Sequence, residues 1–175
     1  MSEHVVVRHQ DLLRFVRECF RRIGVPGDDA EIVADHLVLA SLRGVDSHGV
    51  VRVPYYIEGV EKGYVKARSE VRVLREVGAT ALIDGGGGLG ISVAMKAVRL
   101  GIEKAKAGGV AVVCVRNLGH VGMLAYYTLK IVEQKLIGLV MANAPARVAP
   151  WGGAEPVFGT NPISLGFPAR EKPII

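Results

Sequence analysis

The sequence predicts an α/β protein in two parts, a helical segment over residues 1–68 and a layered α/β domain over 69–175. Three observations carry that expectation. Apolar residues recur at helical spacing through the front of the chain. Behind it, short β-type runs alternate with a glycine run and a long helical pattern, the succession of an α/β arrangement. The run Val110-Ala111-Val112-Val113-Cys114-Val115 is apolar at every position, as in a parallel-sheet strand covered on both faces.

Taken in order, Leu12, Leu13, Phe15, Val16, Cys19, Phe20 and Ile23 mark a first helix over 9–23, broken by Gly24-Val25-Pro26-Gly27. Asp28 with Glu31 three residues later resembles a capping box and opens a second helix, which Arg43-Gly44 ends. His36 on that helix reads as a partly exposed residue. A third helix is expected from about Gly49 to Lys62, stopped by Gly63, with an irregular first turn because of Pro54. Strands are expected at 71–74 and 80–83, a tight turn at 84–90, a helix from Ile91 to about Ala107, and a strand at 110–115. The loop 116–122 then opens a helix to about Gln134. Strands follow at 136–142 and 163–167, joined by a loop rich in Pro and Gly. Lys172-Pro173-Ile174-Ile175 reads as the start of a buried strand, so the chain looks like the front portion of a longer protein.

With 175 residues, 50% hydrophobic and 22% charged, the chain is long and apolar enough to fold around a core. The net charge of +5 is uneven: 12 basic and 12 acidic residues through position 76, then 10 and 5. Scattered as it is, that excess suits an anionic ligand only weakly. No basic run with interleaved aromatics argues for nucleic acid, and no apolar run reaches membrane-spanning length. The Met1-Ser2-Glu3-His4 start has no signal-peptide character, so a cytoplasmic protein is expected. Cys19 and Cys114 have no metal or redox spacing and read as buried thiols of a reducing compartment.

The chemistry concentrates in Asp46-Ser47-His48-Gly49-Val50-Val51-Arg52. On one helix, His48 and Arg52 would share a face, offering an acid/base that titrates near neutrality and a planar cation that forks onto a carboxylate. A capping histidine and a solvated arginine are the plain alternative. Residues 85–90 satisfy G-x-G-x-x-G between strand and helix, but any glycine run does so. The following strand ends at Arg116-Asn117, without the acidic residue a Rossmann site uses for ribose. A tight turn is therefore the simpler reading, and a pyrophosphate seated at Gly85 to Gly90 the alternative.

His120 is expected at a helix N-terminus, where the dipole favours neutral imidazole, with Gly119 and Gly122 opening room for a ligand. In Gly159-Thr160-Asn161-Pro162 the proline should hold Asn161 extended, giving either a strand start or a rigid polar lip. Asn143 is ambiguous in the same way. Asp46-Ser47-His48 cannot form a hydrolase triad, because consecutive residues cannot orient one another in turn. No metal-ligand spacing occurs.

Together the motifs resemble a known family. Asp46-Ser47-His48-Gly49-Val50-x-Arg52-x-Pro54-x-Tyr56 with Gly63 is similar to the entry motif of the malate/L-lactate dehydrogenase-like NAD(P)-dependent oxidoreductases, which include sulfolactate, ureidoglycolate and 2,3-diketogulonate-type dehydrogenases. Ile83-Asp84-Gly85 with Gly90, Arg116-Asn117 with Gly119-His120-x-Gly122, Ala149-Pro150-Trp151-Gly152-Gly153 and Gly159-Thr160-Asn161-Pro162 follow in the family's order. The resemblance implies a homodimeric hydride-transfer enzyme on small 2-hydroxy or 2-keto acids, using NAD or NADP in a nucleotide-binding fold distinct from Rossmann. It implies His48 and His120 as catalytic, Arg52, Thr160 and Ser47 as substrate-binding, and Asn143, Gly159, Asn161 and Pro162 as cofactor-binding. Family members continue for roughly as long again, so this chain reads as their N-terminal portion. Without the rest it is expected to be weak or inactive, and a dimerising or ligand-binding fragment is the alternative.

Overall fold

Val16 and Phe20, one helical turn apart, are the two residues that α1 (His9–Arg22) buries. They pack on α2 (Gly27–Leu42), whose Ala30, Val33, Ala34, Leu37 and Ala40 are wholly buried; short alanine side chains there let the two helices approach closely. The structure is a computed structural model describing residues 5–175; the Met1–His4 start lies outside the described residues. The chain forms two compact units, one ending at Met123 and the other spanning Leu124–Ile175. The position 68/69, where the change of texture suggested a boundary, falls inside the first unit.

Helix α2 starts at Gly27 behind Pro26, one residue before the expected Asp28, and carries Asp28 and Asp29 in its first turn, where acids suit the dipole. Asp29 pairs with Lys96 at 2.9 Å and ties α2 to the later helix that carries Lys96. Gly44 (φ +73°) closes α2 in the left-handed conformation, as its position suggested. The expected third helix is built differently. Two 3-10 turns, Asp46–His48 and Val50–Arg52, precede α3 (Val53–Glu61). Pro54 lies in the first turn of α3, and its ring excludes a regular helical turn upstream. Gly49 is extended between the two turns (φ −88°, ψ −154°). It presses on α2 so closely that a Cβ would meet Ser41 Oγ at 2.2 Å.

Strand β1 (Arg72–Val77) turns back at Gly78 and pairs antiparallel with β2 (Thr80–Gly88). After α4 (Gly90–Gly108) the chain returns as β3 (Val112–Leu118), parallel to β2, giving a mixed sheet of order β1-β2-β3. Instead of a turn at 84–90, β2 continues through the glycines, with a register shift between Asp84 and Gly88. The expectation that β3 is buried on both faces fails. Its exposure alternates, with Val112 and Cys114 outward, because α4 covers one face only.

The second unit holds α5 (Ala125–Val132), shorter than expected, and an antiparallel pair, β4 (Gly138–Met141) with β5 (Ile163–Gly166). Tyr127 and Thr128 are wholly buried in this unit, and Thr128 bonds Ser164 at 2.8 Å. Ile174 makes a single bridge to Phe167 and is exposed, so the expected buried strand is absent from 172–175. The whole is a mixed α/β fold, helices first and sheet after. Among the described residues no helix is long and apolar enough to cross a membrane.

Candidate active site

The break at Gly49 decides the geometry of the first motif. His48 ends one 3-10 turn and Arg52 ends the next, so they do not share the face of one helix. They are joined another way: Arg52 Nε donates to the Ser47 carbonyl at 2.6 Å, while Ser47 Oγ and His48 Nδ1 lie 2.9 Å apart. Arg52 also lies over the Tyr55 ring, 5.6 Å from its centre. Part-burial, then the neighbouring Arg52 charge, lowers the His48 pKa from its ordinary value. Neutral imidazole, able to accept a proton, is thus the resting form near neutrality.

The second motif comes to the first. The His48 and His120 rings stack with centres 5.6 Å apart and planes 27° from parallel. The Tyr56 hydroxyl, from α3, lies 2.7 Å from His120 Nδ1. Tyr56 is 4% exposed, and burial pushes its pKa well above the ordinary phenol value, so the group keeps its proton. His120 does not sit at a helix N-terminus: α5 begins five residues later. Its backbone instead lies against the start of α4, where a Cβ on Gly90 would come within 2.0 Å of the Gly119 carbonyl oxygen and 2.5 Å of that of His120. Backbone carbonyls crowding that turn count against a pyrophosphate seated there.

His36 departs most from expectation. It is wholly buried, and its Nε2 accepts the Met123 N–H at 2.9 Å. Burial lowers its pKa to about 4, and the nearby His120 and His48 push the same way. Its ring also fills the space beside Gly122, where a Cβ would meet Cε1 at 2.3 Å. Gly122 therefore admits a histidine from α2 rather than a ligand, whereas Gly119 does line a cleft. That cleft, about 260 Å³, is walled chiefly by Tyr55, Tyr56, Tyr64, Leu89 and His120.

The remaining expected residues gather in the second unit. Ala144 N–H donates to Asn161 Oδ1 at 2.9 Å, and the Ala142 N–H to the Pro162 carbonyl at 3.2 Å. Gly159 lies so near Ala144 that a Cβ would meet its carbonyl oxygen at 2.2 Å. Asn161 is left-handed (φ +38°), not extended before its proline; asparagine tolerates that region better than most residues. Thr160 and Asn143 are exposed on this turn. Ser47, His48, Arg52 and His120 are thus one cluster, and Asn143, Gly159, Thr160, Asn161 and Pro162 another. Sequence reasoning assigned no role to Tyr55 and Tyr56, although the spacing from Arg52 signalled that they follow it onto α3; nothing in the sequence marked His36 as buried beneath the cluster. Among the described residues no group of three or more His, Cys, Asp or Glu is placed to hold a metal ion.

Known proteins match this arrangement along almost the whole chain. The malate dehydrogenase of Pyrococcus horikoshii is 44% identical over 174 residues, covering 99% of this chain and 48% of that protein. Its solved structure superposes with a TM-score of 0.94 over 97% of this chain and 49% of that one. The L-sulfolactate dehydrogenase of Methanocaldococcus jannaschii is 39% identical over 163 residues, 93% of this chain and 47% of that protein. The sulfolactate dehydrogenase structure from the same organism gives a TM-score of 0.92, covering 97% of this chain and 49% of that chain. The chain spans about half the length of the curated relatives it matches. With the family model described as malate/L-lactate dehydrogenase matching residues 7–175, the chain belongs to that family.

Proposed function

We propose that this chain carries the acid/base and carboxylate-anchoring residues of an NAD(P)-dependent dehydrogenase that interconverts small 2-hydroxy and 2-keto acids of the malate or lactate kind. The observation that carries the proposal is the stack of His48 on His120 beside Arg52. Arg52 forks onto the substrate carboxylate and Ser47 contacts the same acid, while Thr160 is assigned to substrate contact by the family pattern alone. One of the two histidines takes the hydroxyl proton as the C2 hydrogen leaves, and returns it in reduction. The lowered pKa of His48 supports it as a base near neutral pH. Bound NAD or NADP supplies the hydride acceptor. Asn143, Gly159, Asn161 and Pro162 are assigned to hold it; an exposed turn of amides and close backbone suits a ligand of amide, ribose and phosphate groups. The family reading further makes a cytoplasmic homodimer the working form.

Steady-state kinetics of a chain of the relatives' length carrying these residues test the assignment. Replacing Arg52→Lys should raise KM roughly ten-fold or more, because the charge stays and the fork is lost. Replacing His48→Ala should lower kcat by on the order of a hundred-fold; near-normal turnover would remove His48 from the mechanism. The half-length match favours one second reading, a ligand-binding or dimerising module without turnover of its own.

A further inference from the structure

Two histidines in one site raise the question of which nitrogen of each is committed, and Tyr56 answers it for His120. The Tyr56 ring is anchored on α3, edge-on to Phe20 of α1 with centres 6.4 Å apart and inclined to Tyr55 at 71°. That packing leaves the hydroxyl little freedom, and it meets His120 Nδ1 at 2.7 Å across 64 residues of sequence. Ser47 makes the corresponding contact to Nδ1 of His48. We propose that Tyr56 is a positioning residue for His120: its buried phenol donates to Nδ1, fixes the imidazole orientation, and places the proton of the neutral ring on Nε2. In the neutral ring one nitrogen donates and the other accepts, so a donor held at Nδ1 selects the tautomer. The phenol keeps its proton because burial disfavours phenolate. His48, Tyr55 and Arg52 face the pair from the motif side, His36 from α2, and Glu58 lines the same cleft.

This deepens the dehydrogenase reading, since it rests on His120 serving the site, yet its test needs no turnover. Two-bond proton–nitrogen spectra of the 15N-labelled 175-residue chain separate protonated from unprotonated imidazole nitrogens. At pH 8 wild-type His120 should show Nδ1 unprotonated and Nε2 protonated. Replacing Tyr56→Phe keeps the ring against Phe20 and removes only the hydroxyl; both His120 nitrogens should then shift towards the tautomer average, with the backbone amides of α1 and α2 unmoved. Wild-type His120 carrying its proton on Nδ1 would overturn the proposal whether or not the variant folds. Unchanged His120 nitrogen shifts in a folded Tyr56→Phe chain would do so as well. Lack of NAD(P)-linked turnover bears on the dehydrogenase reading alone, so the two failures are told apart.

Discussion

At neutral pH His36 is a buried neutral ring whose Nε2 lone pair holds the Met123 N–H, and that arrangement weakens as the solution turns acid. Its folded pKa is about 4 and its unfolded value about 6.5, so the unfolded chain binds more protons between them. The His36 contribution is therefore complete above pH 6.5, lost progressively as pH falls towards 4, and level below that. The loss sums to about 3 kcal/mol. Urea midpoints at pH 7.5, 5.5 and 4 should fall accordingly. His36→Leu should be less stable at pH 7.5, since the Met123 N–H loses its acceptor at a cost of roughly 1–3 kcal/mol, but should show a shallower pH slope. An unchanged slope would place the acid sensitivity in another group. The residue pattern and its family resemblance singled out His48, Arg52 and His120, which the structure brings into one cluster. They did not reveal that His36 supports the segment carrying His120, because a histidine among the alanines and valines of α2 has no local signature of burial.

Among the elements, α4 shows most clearly what glycines do in this fold. At Gly90 a Cβ would fall 2.0 Å from the Gly119 carbonyl oxygen, and backbone cannot swing aside as a flexible side chain can. At Gly101, inside the same helix, the nearest atom is Val113 Cγ2 at 3.5 Å, an ordinary contact. Gly90→Ala should thus cost about 2–3 kcal/mol by overpacking, while Gly101→Ala should add about 0.5–1 kcal/mol from helix propensity. Thermal melts of the two variants should move in opposite directions. Both helices of the front, α4 and the hairpin strands were legible from periodicity and turn residues. Two features were not. The glycine run continues as β2 because Asp84, which accepts the Gly86 N–H locally, also binds Arg116 and Asn117, and because Gly87 accepts the Lys66 N–H; the contacts to Arg116, Asn117 and Lys66 come from other segments that local composition does not encode. The motif between α2 and α3 splits at Gly49 because α2 passes too close for a side chain, a fact of packing rather than of spacing.

For the molecule as a whole, the burial pattern departs most from what hydrophobicity suggested. Val112, Leu139, Met141, Ile163 and Leu165 are all more than 45% exposed, although each lies in a strand. A strand read as apolar at every position implies two covers, and only β3's helix-facing side has one within the first unit. A chain about half the length of the relatives it matches, with that much apolar strand surface, should retain its local cluster of His48, Arg52 and His120 better than its grip on a large ligand. Grip on a dinucleotide needs many contacts, and each 1.4 kcal/mol forgone weakens binding ten-fold. Titrating the 175-residue chain with NADH and NADPH, followed by nicotinamide fluorescence, should therefore give saturation only on the order of 1 mM or weaker. Replacing Asn161→Ala should abolish even that signal if the turn at 159–162 holds the nucleotide, because Asn161 also ties down Ala144. Micromolar affinity would show that this half of the family fold is a nucleotide site in its own right. Weak binding indifferent to Asn161 would move the nucleotide contacts off that turn, and the assignment of Asn143, Gly159, Asn161 and Pro162 would fall with it.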